Sequence, residues 1–199
     1  MMRKELPYYG IEDSFGGNQN WFRDPIMKLG GCAAATACDT CINMSLYNSK
    51  TDWYPYDIQT LNREDYIRFS KIMKPYLKPR FQGIDTLNLF IEGFYKYLKY
   101  VGESNIHLEE FSGDMPAKQA IIEIKNQIDN GIVIPFLLLK HKNVNFKYFI
   151  WHWFLIVGYE EFENEFYVKV STYGQFHWLS FHELWKTGFK RKGGMILIR

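Results

Sequence analysis

The sequence predicts an α+β fold in which helices come first and an antiparallel sheet follows. From residue 32 to about 130 the chain carries four segments with helical spacing and helix-terminal signals. After Gly131 the pattern changes to short apolar or alternating runs separated by turn residues. Segregated elements of this kind describe an α+β arrangement, and the short connections suit antiparallel pairing.

Residues 1–31 are rich in Gly, Pro, Asn and aromatics, without a sustained period, and are expected to form an irregular arm. Residues 32–47, CAAATACDTCINMSLY, predict a helix. Alanine is the best helix former, and four alanines keep the surface small, so this helix is expected to be central and buried. Residues 48–62 contain Asn, Ser, Asp and Pro55 and predict a loop. Asn62 is a good N-cap, with Glu64 and Asp65 in the following first turn, so a second helix starts there and ends before Pro75. A third runs from about Thr86 to Tyr100, with Leu87, Phe90, Ile91, Phe94 and Leu98 at helical spacing. For the fourth, Asp114 is the expected cap, Pro116 lies in the first turn and Gly131 follows the end.

The strands are expected at 132–139, at 147–159, at 165–171, where Phe166, Val168 and Val170 alternate with polar residues, and at 175–181. A helical turn at 182–185 and a terminal strand at 195–198 complete the chain. No repeat, low-complexity tract or interdomain linker interrupts it, so 1–199 reads as one domain, with a helical part over about 32–130 and a sheet part over about 131–199.

Composition narrows the function classes. Hydrophobic residues make up 47% and aromatics 18%, which suits a packed globular core. A formal charge of +2 gives no electrostatic case for nucleic acid. No apolar run is long enough to span a bilayer, and the first residues lack the apolar stretch of a secretory signal, so a cytoplasmic location is expected. The three cysteines, Cys32, Cys38 and Cys41, lie within ten residues and do not form a disulfide framework.

Gly30-Gly31-Cys32 opening an alanine-rich helix is the sharpest local feature. The partial positive charge at a helix N-terminus lowers a thiol's pKa, and the free N–H groups there can hold an oxyanion. The alternative is a cysteine that serves as a small buried apolar residue. Cys38 and Cys41 have C-x-x-C spacing, but they lie inside the helix and no second cysteine pair accompanies them, so core packing is favoured over a redox pair or half a zinc site.

Of the five histidines, His107, His141, His177 and His182 read as surface or structural. His152 lies inside the apolar run Phe149–Val157, where an imidazole is costly to bury without a partner. It is either a core histidine satisfied by backbone or a base that takes the Cys32 proton.

Four segments carry a family resemblance. They are Gly30-Gly31-Cys32-Ala33-Ala34; the run from Ile124 through Gly131 to Leu137; His152-Trp153-Phe154 with Ile156, Gly158 and Tyr159; and Val168-x-Val170-Ser171-Thr172-Tyr173-Gly174 with Leu179 to Trp185. In this order they resemble papain-like cysteine peptidases related to the leader peptidases of bacteriocin exporters. The resemblance implies a papain-like fold, in which a helical lobe carries the nucleophile, an antiparallel sheet lobe carries the histidine, and a cleft lies between. It implies hydrolysis of a peptide or protein substrate through a Cys32 thioester with His152 as general base and acid, and it implies neither metal nor cofactor. The family places Asp or Asn at the end of the strand after the histidine, where Ser171-Thr172 stands here, so Ser171 is the expected imidazole partner. The family's oxyanion glutamine precedes the cysteine; the nearest here is Gln19, which reaches the site if Trp21 to Leu29 loops out. Trp151, Trp153, Tyr173 and Trp178 are among the aromatics that either line such a cleft or pack the core.

Two functions from different classes follow. One is a cysteine peptidase or amidase, with acyl transfer to an amine as a variant on the same residues. The other is a catalytically silent relative that keeps the cleft to bind a peptide or protein, favoured by the missing Asp or Asn.

Overall fold

The computed structural model describes residues 2–79 and 83–199. The expected irregular arm is ordered. Its first strand, β1 (Met2–Glu5), is followed by a small hairpin, β2 (Gly10–Ile11) and β3 (Ser14–Phe15), a 3-10 turn at Gln19–Trp21, and a short helix, α1 (Pro25–Gly30). Asp24 caps α1 by accepting from the N–H groups of Ile26 and Met27, with Pro25 in the first turn.

Helix α2 (Cys32–Tyr47) spans the predicted segment, and thirteen of its sixteen residues are buried. Burial runs all the way round it, with polar Thr36, Asp39, Thr40, Asn43 and Ser45 included. The loop after it contains 3-10 turns at Thr51–Trp53 and Ile58–Thr60. Helix α3 (Arg63–Met73) is capped by Asn62, whose side chain accepts from the Asp65 N–H at 2.9 Å. Helix α4 (Leu87–Tyr100) is capped by Thr86.

Strand β4 (Leu108–Ser112) was not expected; its Glu109 and Glu110 hide a short edge strand. Helix α5 (Ala117–Asp129) starts after Pro116, not after an Asp114 cap. Asp114 stands too far before the first turn to reach its N–H groups; instead its own N–H goes to Ser112 Oγ and its carboxylate faces Lys192.

The remaining elements are β5 (Ile134–Leu138), β6 (His152–Phe162), β7 (Glu165–Thr172), β8 (Gln175–Ser180), α6 (Phe181–Trp185) and β9 (Gly194–Ile198). The expected strand from 147 does not start there. Val144–Phe149 forms a 3-10 turn capped by Asn143, and the chain enters β6 only at His152.

One antiparallel sheet has the order β4-β9-β5-β6-β7-β8, with β1 pairing on the outer half of β6 through Gly158–Glu161. Alternation along the strands feeds two cores. Leu137, Trp153, Ile196 and Ile198 pack with α2 and α4, while Phe136, Phe154, Met195 and Leu197 pack with α5 and α6. Helices therefore cover both faces of the sheet, and α5 belongs to the far face instead of joining the earlier helices. The fold is mixed helix and antiparallel sheet, an α+β arrangement. Among the described residues, no helix is long and apolar enough to cross a membrane.

Candidate active site

Cys32 is the first residue of α2, and Gly31 is its N-cap, so no side chain occupies the helix's first N–H groups. Gly31 also ends α1, donating to the Met27 carbonyl at 2.8 Å. A Cβ on Gly31 would collide with that carbonyl oxygen, which is why the tight junction between the two helices needs glycine.

His152 is the first residue of β6. The residue before it, Trp151, has φ of 54°, a left-handed conformation that a tryptophan adopts only when its surroundings impose it. The Trp151 N–H is held by the Leu139 carbonyl at 2.8 Å. This kink turns Trp151 outward, 44% exposed, and leaves His152 only 4% exposed.

Cys32 and His152 line one cleft of about 470 Å³ together with Gln19, Leu29, Trp151 and Tyr173. The sulfur lies against the start of β6, where the backbone N–H of Trp153, the residue after His152, bears on it. Trp153 is held by the ring of Phe90 on α4, stacked at 4.4 Å, and its indole N–H donates to the Ile84 carbonyl at 2.6 Å.

Two residues at the end of β7 hold the imidazole. His152 Nε2 lies 2.6 Å from Thr172 Oγ1, and the Tyr173 hydroxyl lies 3.3 Å from Nδ1. The expected partner Ser171 does not touch the ring: its hydroxyl donates to the Phe15 carbonyl at 3.5 Å. The reason is strand parity. Phe166, Val168 and Val170 point to one side of β7, and Thr172 continues that set whereas Ser171 does not. The alternation was readable in the sequence.

The chain turns at Tyr173-Gly174, both with positive φ, in a two-residue hairpin between β7 and β8. The arm fixes this turn. Asn18 donates to the Tyr173 carbonyl at 2.9 Å, and the Phe15 N–H donates to the Gly174 carbonyl at 2.8 Å.

Gln19 reaches the cleft because Trp21 to Leu29 folds away as α1 and its lead-in. It is 5% exposed; Nε2 donates one hydrogen to the Lys28 carbonyl at 2.9 Å, and Oε1 has no hydrogen-bond partner among the described residues. Among the described residues, Trp151 and Tyr173 are the aromatics that border the cleft, whereas Trp153 is core and Trp178 stacks with Arg3.

Electrostatics departs from the sequence expectation. Burial pushes the Cys32 thiol up, although the N–H groups of Trp153, Ala33 and Cys32 itself oppose the shift. Burial also holds the His152 imidazole down, to about 3. At neutral pH the pair therefore rests as thiol and neutral imidazole. The N–H groups at the helix start lower the Cys32 pKa by less than burial raises it.

Sequence reasoning gave no role to Asp39. It lies on α2 seven residues after Cys32, two turns along the same face, and is buried. The hydroxyls of Tyr9 and Tyr66 each donate to its Oδ1 at 2.7 Å, and that of Tyr8 to Oδ2 at 3.5 Å. A carboxylate in the middle of an alanine-rich buried helix was the available signal. Cys38 and Cys41 are fully buried core thiols, their pKa values pushed well up by burial. Among the described residues, no group of three or more His, Cys, Asp or Glu is placed to hold a metal ion. No family model, curated protein or solved structure compared with the chain matches it.

Proposed function

We propose that the protein is a papain-like cysteine peptidase or amidase, cleaving a peptide-like amide through a thioester on Cys32. The observation that carries this reading is that Cys32, opening a buried helix, and His152, opening a strand of the antiparallel sheet, line one cleft.

In this reading the Cys32 thiol proton passes to His152 Nδ1 as Sγ bonds the substrate carbonyl carbon. The carbonyl oxygen, now an oxyanion, accepts from the Cys32 backbone N–H and from the Gln19 Nε2 hydrogen not given to Lys28. The proton on Nδ1 then goes to the departing amine nitrogen, leaving the thioester. A water, deprotonated by Nδ1, attacks the thioester carbonyl and releases the acid and the free thiol. Thr172 Oγ1 accepts from Nε2–H and keeps Nδ1 as the basic nitrogen.

The test is alkylation by iodoacetamide at neutral pH, read by mass spectrometry on wild type, Cys32→Ala and His152→Ala. Fast single labelling that disappears in Cys32→Ala and slows at least about 100-fold in His152→Ala is expected. A native protein whose Cys32 reacts no faster than an ordinary thiol of its pKa defeats the reading.

Two observations favour the second reading, a silent relative that binds a peptide or protein. Burial keeps both partners neutral, and a hydroxyl stands where a charge or amide is expected. In that case a peptide bound in the cleft is recovered uncleaved from wild type.

A further inference from the structure

A second, small cavity lies beneath the pair, lined by Asp39, Gln19, Cys32, His152, Ser171 and Thr172. Its volume is about 10 Å³, the space of one water. Two residues of its lining carry acceptors: the Asp39 carboxylate, and Gln19 Oε1, which is buried and has no partner among the described residues. A water in this space would accept from the Thr172 hydroxyl and donate to both acceptors. With it the hydrogen bonds would run in one direction, from His152 Nε2–H to Thr172 Oγ1, from Thr172 O–H to the water, and from the water to Asp39.

Asp39's bonded partners are three tyrosine hydroxyls and the Gly17 N–H. A neutral amide would pair with much of this set without the cost of burying a charge. A carboxylate in this place points to a use for its charge, and His152, on which charge forms in the proposed reaction, lines the same cavity.

We propose that Asp39, through one water and Thr172, supplies the negative charge that the end of β7 lacks, and is a positioning residue for His152. The inference rests on the proposed Cys32–His152 chemistry. In alkylation by iodoacetamide the Sγ–C bond forms, iodide leaves with its electron pair, and the thiol proton goes to Nδ1; the imidazolium so formed is stabilised by Asp39 when Asp39 is ionised.

The groups facing Asp39 are Tyr8 and Tyr9 from the arm, Tyr66 from α3, and Cys38 and Cys41 from its own helix. Cys32, His152 and Tyr173 stand across the cavity. All of these are neutral near pH 6, where burial sets the Asp39 titration. Protonation of Asp39 is therefore the event read in that window.

The experiment is the rate of Cys32 alkylation by iodoacetamide from pH 4 to 9 in wild type, Asp39→Asn and Thr172→Val. Wild type is expected to lose about tenfold in rate below an inflection near pH 6. Both variants are expected to lack the inflection and to stay near the lower rate. Thr172→Val breaks the path without touching the tyrosine cluster, so it decides the matter even if Asp39→Asn fails to fold. An inflection that persists in Thr172→Val, or in a folded Asp39→Asn, overturns the inference and leaves the Cys32–His152 reading standing. If wild-type Cys32 shows no acceleration at any pH, that reading itself fails.

Discussion

The rings of Tyr173 and His152 lie parallel, 5° apart in plane and 4.5 Å between centroids, with the tyrosine hydroxyl at Nδ1. The hydroxyl thus occupies the nitrogen that the thiol proton must reach, while the stacked ring helps fix the imidazole plane. Tyr173→Phe keeps the ring and frees Nδ1. A neutral hydrogen bond is worth about 1 kcal/mol net, so the Cys32 alkylation rate at pH 7 should rise by about two- to tenfold. Tyr173→Ala also removes the stacking and is expected to lower the rate. Stopped-flow labelling of the two variants separates the roles: if Tyr173→Phe is slowed as much as Tyr173→Ala, the hydroxyl is an aid to the base and not a competitor.

Because the resting pair is neutral, the pH dependence separates a general-base mechanism from a preformed thiolate. With His152 held down to about 3 and Cys32 pushed up, wild type reacts through imidazole-assisted removal of the thiol proton across the neutral range. His152→Ala leaves only spontaneous ionisation of a thiol whose pKa is raised. Its labelling rate should climb continuously with pH beyond the ordinary thiol range and approach the wild-type rate only in alkali. A rate in His152→Ala that saturates below pH 7 would mean that the helix N-terminus makes the thiolate unaided.

Much of this arrangement was readable, for local reasons. Asn62 announces α3 by its cap, the spacing of Leu87, Phe90, Ile91, Phe94 and Leu98 announces α4, and Cys32 to Tyr47 announces α2 by composition, because these signals are local to one helix. The arm was not readable, since its order comes from distant partners: Lys169 pairs with Glu5, and Asn18 with the Tyr173 carbonyl. The start of β6 was hidden for another reason. Apolar and aromatic residues run on through 147–159, and nothing in that pattern encodes the left-handed turn at Trp151. Cys32 and His152 stood out by residue type and setting. Thr172 required strand parity to be followed one residue further, and Asp39 required a helix face to be followed for two turns.

Asp39 also links stability to pH. Burial raises its carboxyl from an ordinary 3.8 to about 6, so the folded state prefers the protonated form. Stability from this group is full below the unfolded pKa, and it is lost as pH rises through the interval up to about 6. The shift corresponds to roughly 3 kcal/mol for a fully buried group. Asp39→Asn abolishes this dependence. Urea unfolding of both proteins should therefore show the variant gaining on wild type by that order between pH 3.5 and 7. A difference that stays flat across the interval would place the Asp39 titration at its ordinary value.

His152 contributes with the opposite pH sense. Its folded pKa lies below the ordinary 6.5, so the folded state prefers the neutral ring, and stability is lost as pH falls from about 6.5 toward 3. His152→Gln removes the titrating group. Its urea midpoint should fall less than that of wild type on acidification from pH 6.5 to 4. Parallel midpoints would show that the ring protonates freely in the fold.

Gly93 lies at a close crossing of α4, the helix that carries Phe90 against Trp153. A Cβ there would press on the Tyr76 carbonyl oxygen and stand 2.7 Å from Leu77 Cδ2, at the crossing of α4 with the segment after α3. Alanine gains about 1 kcal/mol over glycine in a helix interior, but overpacking against backbone costs about 1–3 kcal/mol and a carbonyl cannot rotate away as a side chain tip can. The second effect wins, so Gly93→Ala should lower stability by about 1–2 kcal/mol. Because α4 carries Phe90 against Trp153, the displacement should also reach the cleft and slow Cys32 labelling, while a helix surface control such as Lys96→Ala changes neither. Unfolding and labelling measured on the same samples check both, and a stabilised Gly93→Ala would mean that the crossing relaxes without strain.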